Sequence, residues 1–344
     1  MFIVLGLAGA CGPHVDPRFA REAEAASALY VSGRYRDAAD RWLVAARRAS
    51  SPVDRDEARY RAALSFVHAG DTARADALLA ELGAGRGERA ARASFDRARL
   101  TARSDPERGD TLRLAAVRKH PSSGLAAEAA REHLAFVEER QGAGPALAAC
   151  RALHAELGTT ELAEALSYEC ARRTEAAGDL PRARDAYLAT AAQHPYSEGA
   201  YWDDALTGAA RCEERLGRPA RAVELLERLL AERERSVAVG SYERSRYAEA
   251  RFHIAELYRD ALGDPARARR EFRRVFDEHQ TSLLRDDALF NEASLAQREG
   301  DAKAACEAVR LLQHDLPDSR YVGCGPLLCA TAAAAARPCP RAAR

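Results

Sequence analysis

Lysine is almost missing from this chain of 344 residues: of 52 basic side chains only Lys119 and Lys303 are lysine, and the rest are arginine. Aromatic residues make up 6% and methionine occurs once. Strands favour aromatic and β-branched side chains, so their scarcity argues against long sheets. Net charge is absent too, with 52 basic against 52 acidic residues. A nucleic-acid binder needs a basic footprint for phosphates, so that class is excluded. No template for catalysis occurs: there is no Gly-x-Ser-x-Gly elbow, no Gly-rich phosphate loop ending in Lys-Ser or Lys-Thr, and no His-Glu-x-x-His. What is abundant is alanine, 78 residues of it. Alanine is the best helix former and Leu and Arg follow closely, so the composition predicts an all-α chain. The Arg and Ala excess also fits a GC-rich genome and carries no functional information.

An uncharged apolar run from Met1 to Ala10 stops at Cys11 and gives way to Pro13, His14, Asp16 and Pro17. It is half the roughly 20 residues a bilayer crossing needs, and it suits the apolar region of a signal peptide. Ala8-Gly9-Ala10-Cys11 resembles a bacterial lipobox, with Ala8 where that pattern prefers Leu and no Lys or Arg ahead of the run. The resemblance implies lipidation at Cys11 and anchoring on a membrane through the acylated cysteine. Gly12 after the cysteine resembles the outer-membrane sorting pattern. The plainer alternative is an apolar terminus carrying an incidental cysteine.

Fixed-period self-similarity runs through the rest of the chain. Gly is followed five residues later by Ala at Gly33/Ala38, Gly70/Ala75, Gly178/Ala183, Gly217/Ala222, Gly263/Ala268 and Gly300/Ala305. Seven residues before the Gly stands a small residue, at Ala26, Ala63, Ala171, Ala210 and Ala293, with Ala255 one place out. Nine residues after it stands a large apolar one: Trp42, Leu79, Tyr187, Leu226, Phe272 and Val309. The glycines lie 37, 108, 39, 46 and 37 residues apart. The long interval has room for two degenerate copies, one near Ser104 to Pro121 and one turning at Gly142.

Each copy is expected to be a pair of antiparallel helices. The Gly closes the first helix in the left-handed conformation, and Asp71, Asp179, Asp264 or Asp301 caps the second. Pro181, Pro219 and Pro265 fall where a first-turn proline is tolerated. The small residue lets the helices approach, and the large one fills the space between pairs. A single pair has too little core, and stacked pairs bury a continuous one. Boundaries between pairs recur as His120-Pro121-Ser122-Ser123, His194-Pro195-Tyr196-Ser197, His279-Gln280-Thr281-Ser282 and Pro317-Asp318-Ser319, with the Ser expected to cap the next helix. The three histidines therefore recur with the turn, and no metal or catalytic role is assigned to them.

With these offsets the chain resembles the tetratricopeptide repeat (TPR) family over about residues 21–320, with copies at about 84–160 degenerate. The resemblance implies a right-handed α-solenoid of about eight helix pairs, preceded by a signal peptide at 1–11 and a linker at 12–20. It is followed by an irregular Cys- and Ala-rich tail at 321–344. The 46-residue interval implies an insertion around Arg233 to Arg246. Together with Cys11, the pattern is similar to envelope lipoproteins and periplasmic proteins of that family, BamD-like and CpoB-like. The family's first helices line a concave groove, which carries over to Tyr168, Arg172, Asp204, Arg211, Glu214, Phe290 and Gln297. These would hold a protein or peptide partner.

Asp203-Asp204 and Asp286-Asp287 lie just inside first helices and are expected to complement the helix dipole. Arg267, Arg269, Arg270, Arg273 and Arg274 read as a solvated helix face. Cys150, Cys170, Cys212 and Cys306 read as small core residues. Cys324 and Cys329 could close a small loop, or one of the tail cysteines could tie the tail to Cys306, if the compartment is oxidising. No metal site and no cofactor are expected. The function that follows is a non-enzymatic scaffold for protein partners, lipid-anchored on the periplasmic side of a bacterial outer membrane. The alternative is a soluble cytoplasmic repeat protein acting as a regulator or adaptor.

Overall fold

The computed structural model describes residues 16–232, 245–334 and 338–340. Cys11, the signal peptide and most of the insertion at 233–246 lie outside the described residues. Two compact units divide the chain, Met1–Leu166 and Ser167–Arg344.

The first unit holds α1 (Pro17–Val31), α2 (Tyr35–Arg48), α3 (Pro52–His68), α4 (Thr72–Ala84), α5 (Glu88–Ala102), α6 (Pro106–Lys119), α7 (Ala126–Gln141) and α8 (Ala143–Leu157). Next comes α9 (Ala163–Ala176), within which the boundary between the units falls. The second unit continues with α10 (Leu180–Gln193), α11 (Trp202–Arg215), α12 (Pro219–Ala231), α13 (Ser245–Asp260), α14 (Pro265–Glu278), α15 (Arg285–Arg298) and α16 (Ala302–Asp315). No strand occurs among the described residues. Within each unit successive helices pack on one another, the arrangement of a helical-repeat array.

The turn chemistry follows the sequence closely. All six lattice glycines have φ between 64° and 86°, a region that costs a residue with a Cβ about 1–2 kcal/mol. Behind them Asp71, Asp179, Asp264 and Asp301 each accept the backbone N–H three residues on, at 3.3, 3.3, 2.9 and 3.1 Å. The degenerate third copy lacks the glycine: Arg103 and Ser104 make the turn, and Asp105 alone caps α6. Its lattice is blurred because the residue that most clearly marks a turn is missing.

Alanines at the expected contact points are buried. Ala26, Ala63, Ala171, Ala255 and Ala293 are fully inaccessible, as are their partners Ala38, Ala75, Ala183, Ala268 and Ala305. The large residues Leu79, Tyr187, Leu226, Phe272 and Val309 fill the space between pairs. One further close approach comes from Gly208 on α11, where a Cβ would stand 2.7 Å from the Tyr187 ring. That separation is below any tolerable contact, so a side chain there would push α11 away from α10.

Four expectations need correction. First, α1 starts at Pro17, inside the stretch taken as linker, because the Asp16 carboxylate accepts the Arg18 N–H at 2.8 Å and Pro17 takes the first helical position. Second, the boundary serines do not cap the next helix. Ser123, Ser282 and Ser319 accept the N–H only two residues on, which holds the turn while Leu125 and Leu284 take the cap positions. The histidines His120, His194 and His279 are the closing residues of α6, α10 and α14, each donating its backbone N–H four residues back.

Third, the tail is not irregular throughout: residues 322–328 are helical. A 3₁₀ turn (Val322–Cys324) and a short helix, α17 (Gly325–Leu328), return onto α15 and α16. Fourth, of the two alternatives for the tail cysteines, the Cys324–Cys329 loop does not form and the tie to Cys306 does. Cys329 pairs with Cys306 of α16, and Cys324 pairs with Cys339. Cys324, Cys329 and α17 sit on one short helical path, and the return of that path onto α16 brings Cys306 to Cys329. Cys150 and Cys170 are disulfide-bonded as well, so of the four cysteines read as plain core residues only Cys212 is free. Burial pushes its thiol up to about 11, which leaves it protonated and inert.

Candidate functional site

The seven positions carried over for a groove all fall on first helices of the second unit: Tyr168 and Arg172 on α9, Asp204, Arg211 and Glu214 on α11, Phe290 and Gln297 on α15. They do not form one site. Tyr168 stacks on Tyr201 with ring centroids 5.0 Å apart and lies 5.8 Å from the Tyr187 ring. Burial first, then the Asp204 and Glu169 carboxylates, pushes its phenol up.

Beside it, Glu175 on α9 gathers four donors. Arg211 reaches it through Nε and Nη2, both at 2.7 Å, Arg215 at 3.2 Å and the buried Tyr187 hydroxyl at 2.9 Å. Burial pushes the Glu175 carboxyl up, but the hydrogen bonds from Arg211 and Tyr187 outweigh it and hold the group below its ordinary value. Arg211 is thus a fastening between neighbouring pairs. Arg172 pairs with Glu169 of its own helix, and Asp204 pairs with Arg246. Glu214 accepts from His253 Nε2 on α13 at 2.8 Å, while His253 Nδ1 faces Glu256 at 3.4 Å.

Phe290 and Gln297 are covered by the chain's own tail. Phe290 stacks on Tyr321, and the Gln297 amide donates to the Leu327 carbonyl at 3.1 Å. The acidic pair Asp286-Asp287 is taken up by the tail in the same way. The Tyr321 hydroxyl and Arg320 donate to Asp287 at 2.6 and 2.7 Å, and Ser319 donates to Asp286 at 2.8 Å. Nor is the arginine run on α14 wholly a solvated face. Arg273 forms a bidentate pair with the buried Glu292 of α15, and Arg269 bridges to Glu299 and Asp301.

The first unit holds an open cleft that the sequence reading missed. Its volume is about 490 Å³, and its lining includes Ser27, Tyr30 and Val31 of α1, Trp42 of α2, Glu57, Tyr60, Arg61 and Leu64 of α3, and Arg89 and Arg92 of α5. A signal for it was present. The carried-over positions stand thirteen, ten, six and three residues before the turn glycine. Counted back from Gly33 and Gly70, the same offsets give Ser27, Tyr30, Glu57, Tyr60 and Leu64.

Arg61 lies over the Trp42 ring at 5.3 Å and Arg89 over the Tyr60 ring at 4.6 Å. Glu57 is shared between them, accepting Arg61 Nε at 2.6 Å and pairing with Arg89. The arrangement offers a floor of rings, an exposed Val31 and a rim of guanidiniums, which suits binding. Among the described residues no group of three His, Cys, Asp or Glu side chains is placed to hold a metal. No described helix is long and apolar enough to cross a membrane.

The tetratricopeptide repeat family model matches residues 57–84, 204–234 and 249–282, so the chain carries tetratricopeptide repeats in both units. No curated protein matches the chain. Among solved structures it is similar to TPR-like repeats of a kinesin light chain from Podosopora anserina, at 21% identity. That match covers 58% of this chain and 99% of that one, with a TM-score of 0.41. It is also similar to the C-terminal part of a TPR repeat-containing protein from Cytophaga hutchinsonii, at 13% identity, covering 78% and 99%, with a TM-score of 0.46. A tetratricopeptide repeat protein from Parabacteroides merdae matches at 14% identity, covering 80% and 98%, with a TM-score of 0.37.

Proposed function

We propose that this protein is a non-enzymatic scaffold of the bacterial envelope, a BamD-like or CpoB-like TPR lipoprotein held at the outer membrane by Cys11 and facing the periplasm. Proteins built from these repeats bind protein or peptide partners. The observation that carries the binding reading is the cleft of α1, α3 and α5, where first-helix positions of successive copies converge on one concave lining. Six cysteines in disulfides favour an oxidising compartment over the cytoplasmic alternative, because cytosolic thiols are kept reduced.

The anchor is tested by acyl labelling and globomycin treatment of cells expressing the full chain. Fatty-acid incorporation that is lost in Cys11→Ala, with release of the protein from membranes, supports it. A Cys11→Ala protein that still fractionates with the membrane contradicts it.

A further inference from the structure

We infer that the cleft of the first unit selects an extended peptide segment rich in Asp and Glu, with apolar side chains between the acidic ones. This deepens the scaffold reading and rests on it. The charge of the lining carries the inference. Three guanidiniums, Arg61, Arg89 and Arg92, face the cleft, and the one carboxylate in the lining is Glu57. Glu57 is divided between Arg61 and Arg89, so a single negative charge is set against two positive ones. Arg92 pairs at 3.2 Å with Glu88, and both side chains are more than half exposed. Such a pair contributes little and exchanges readily for an incoming carboxylate.

The rings beneath the guanidiniums matter as much as the charge. Stacking over Trp42 and Tyr60 holds two planar forks in place, so less side-chain freedom is lost when a carboxylate docks. Their edge N–H groups are matched to carboxylate oxygens in bidentate geometry. In the same lining, Tyr30, Leu64 and the exposed Val31 supply apolar contact. The same lining therefore offers guanidinium forks and apolar contact, which fits a segment that carries both acidic and apolar side chains. A basic segment would meet like charge on the rim, and a neutral one would gain no ion pair from it.

The test uses the full chain and three fluorescein-labelled ten-residue peptides alternating leucine with glutamate, glutamine or lysine, read by fluorescence anisotropy. The glutamate peptide is expected to bind at least about tenfold more tightly than the glutamine one, with the lysine peptide weakest. Raising salt from 50 to 500 mM should weaken the glutamate peptide and leave the glutamine peptide little changed. An Arg61→Gln/Arg92→Gln protein should lose most of the preference, while Arg267→Gln, an exposed site in the other unit, keeps it. Equal binding of the three peptides, no binding, or a preference untouched by Arg61→Gln/Arg92→Gln overturns the inference. Crosslinking in cells separates this from the scaffold reading. If the double variant keeps the wild-type partner, the inference fails and the scaffold stands; if neither protein crosslinks to any partner, both fail.

Discussion

Phe290 and Tyr321 stack face to face, with ring centroids 4.3 Å apart and planes 12° from parallel. Phe290 belongs to the last first helix, α15, and Tyr321 to the segment that returns over it. The end of a repeat array exposes an apolar face that would normally meet the next pair, and capping is needed there. Here the cap is the chain's own tail, fixed by this stack, by the Asp287 bonds to Tyr321 and Arg320, and by Cys306–Cys329.

The first expectation concerns this staple. Cys306 and Cys329 are 23 residues apart, and closing a loop of that size stabilises by about 3 kcal/mol. Cys306→Ser/Cys329→Ser should unfold at lower urea than wild type by that order and release Tyr321 to proteolysis. Unchanged denaturation with an intact tail would show that the cap holds without it.

Alanines that look alike in sequence should differ sharply. Ala171 is fully buried and Ala176, on the same helix, is exposed. Ala171→Leu overfills a closed contact and should cost about 1–3 kcal/mol, while Ala176→Leu should be near neutral. Chemical denaturation of the two variants checks this, and equal effects would contradict the packing described.

The pair of Arg273 and Glu292 joins α14 to α15 through two hydrogen bonds of 2.7 and 2.9 Å. Arg273→Ala strands a buried carboxylate and should cost about 3 kcal/mol, whereas replacing both by Met and Leu should recover most of the loss. A double-mutant cycle measures it; additive effects would show no coupling.

His253 gives a pH dependence. Its hydrogen bond to Glu256 and that to Glu214 raise its pKa from the ordinary 6.5, against burial. A raised folded value means the stabilising contribution is complete below pH 6.5 and is lost as pH rises through the higher, folded-state pKa. The half-exposed setting keeps the effect small. Histidine NMR titration should place His253 above 6.5, and His253→Gln should lower the melting temperature at pH 6 but not at pH 9. An ordinary titration would contradict the geometry.

Much of the fold was legible because helical repeats write their contacts into fixed offsets. Gly178, Asp179, Pro181, Ala183 and Tyr187 each act as their spacing implied. The tail was not legible, since nothing periodic specifies where Cys324, Cys329 and Cys339 meet a partner. The groove was only half legible. Offsets mark which residues face a neighbour, but they do not distinguish Arg211, consumed by Glu175, from Arg92, held only by a solvent-exposed pair.

Site-specific photocrosslinking in cells tests the binding surface most directly. A benzophenone side chain at Tyr30 or Leu64, which line the cleft, is compared with one at Arg182 or Arg221, exposed positions on second helices. A discrete protein adduct from Tyr30 and Leu64 and none from Arg182 and Arg221 is the expected result. Adducts from the second-helix positions alone, or equal labelling at all four, would contradict it.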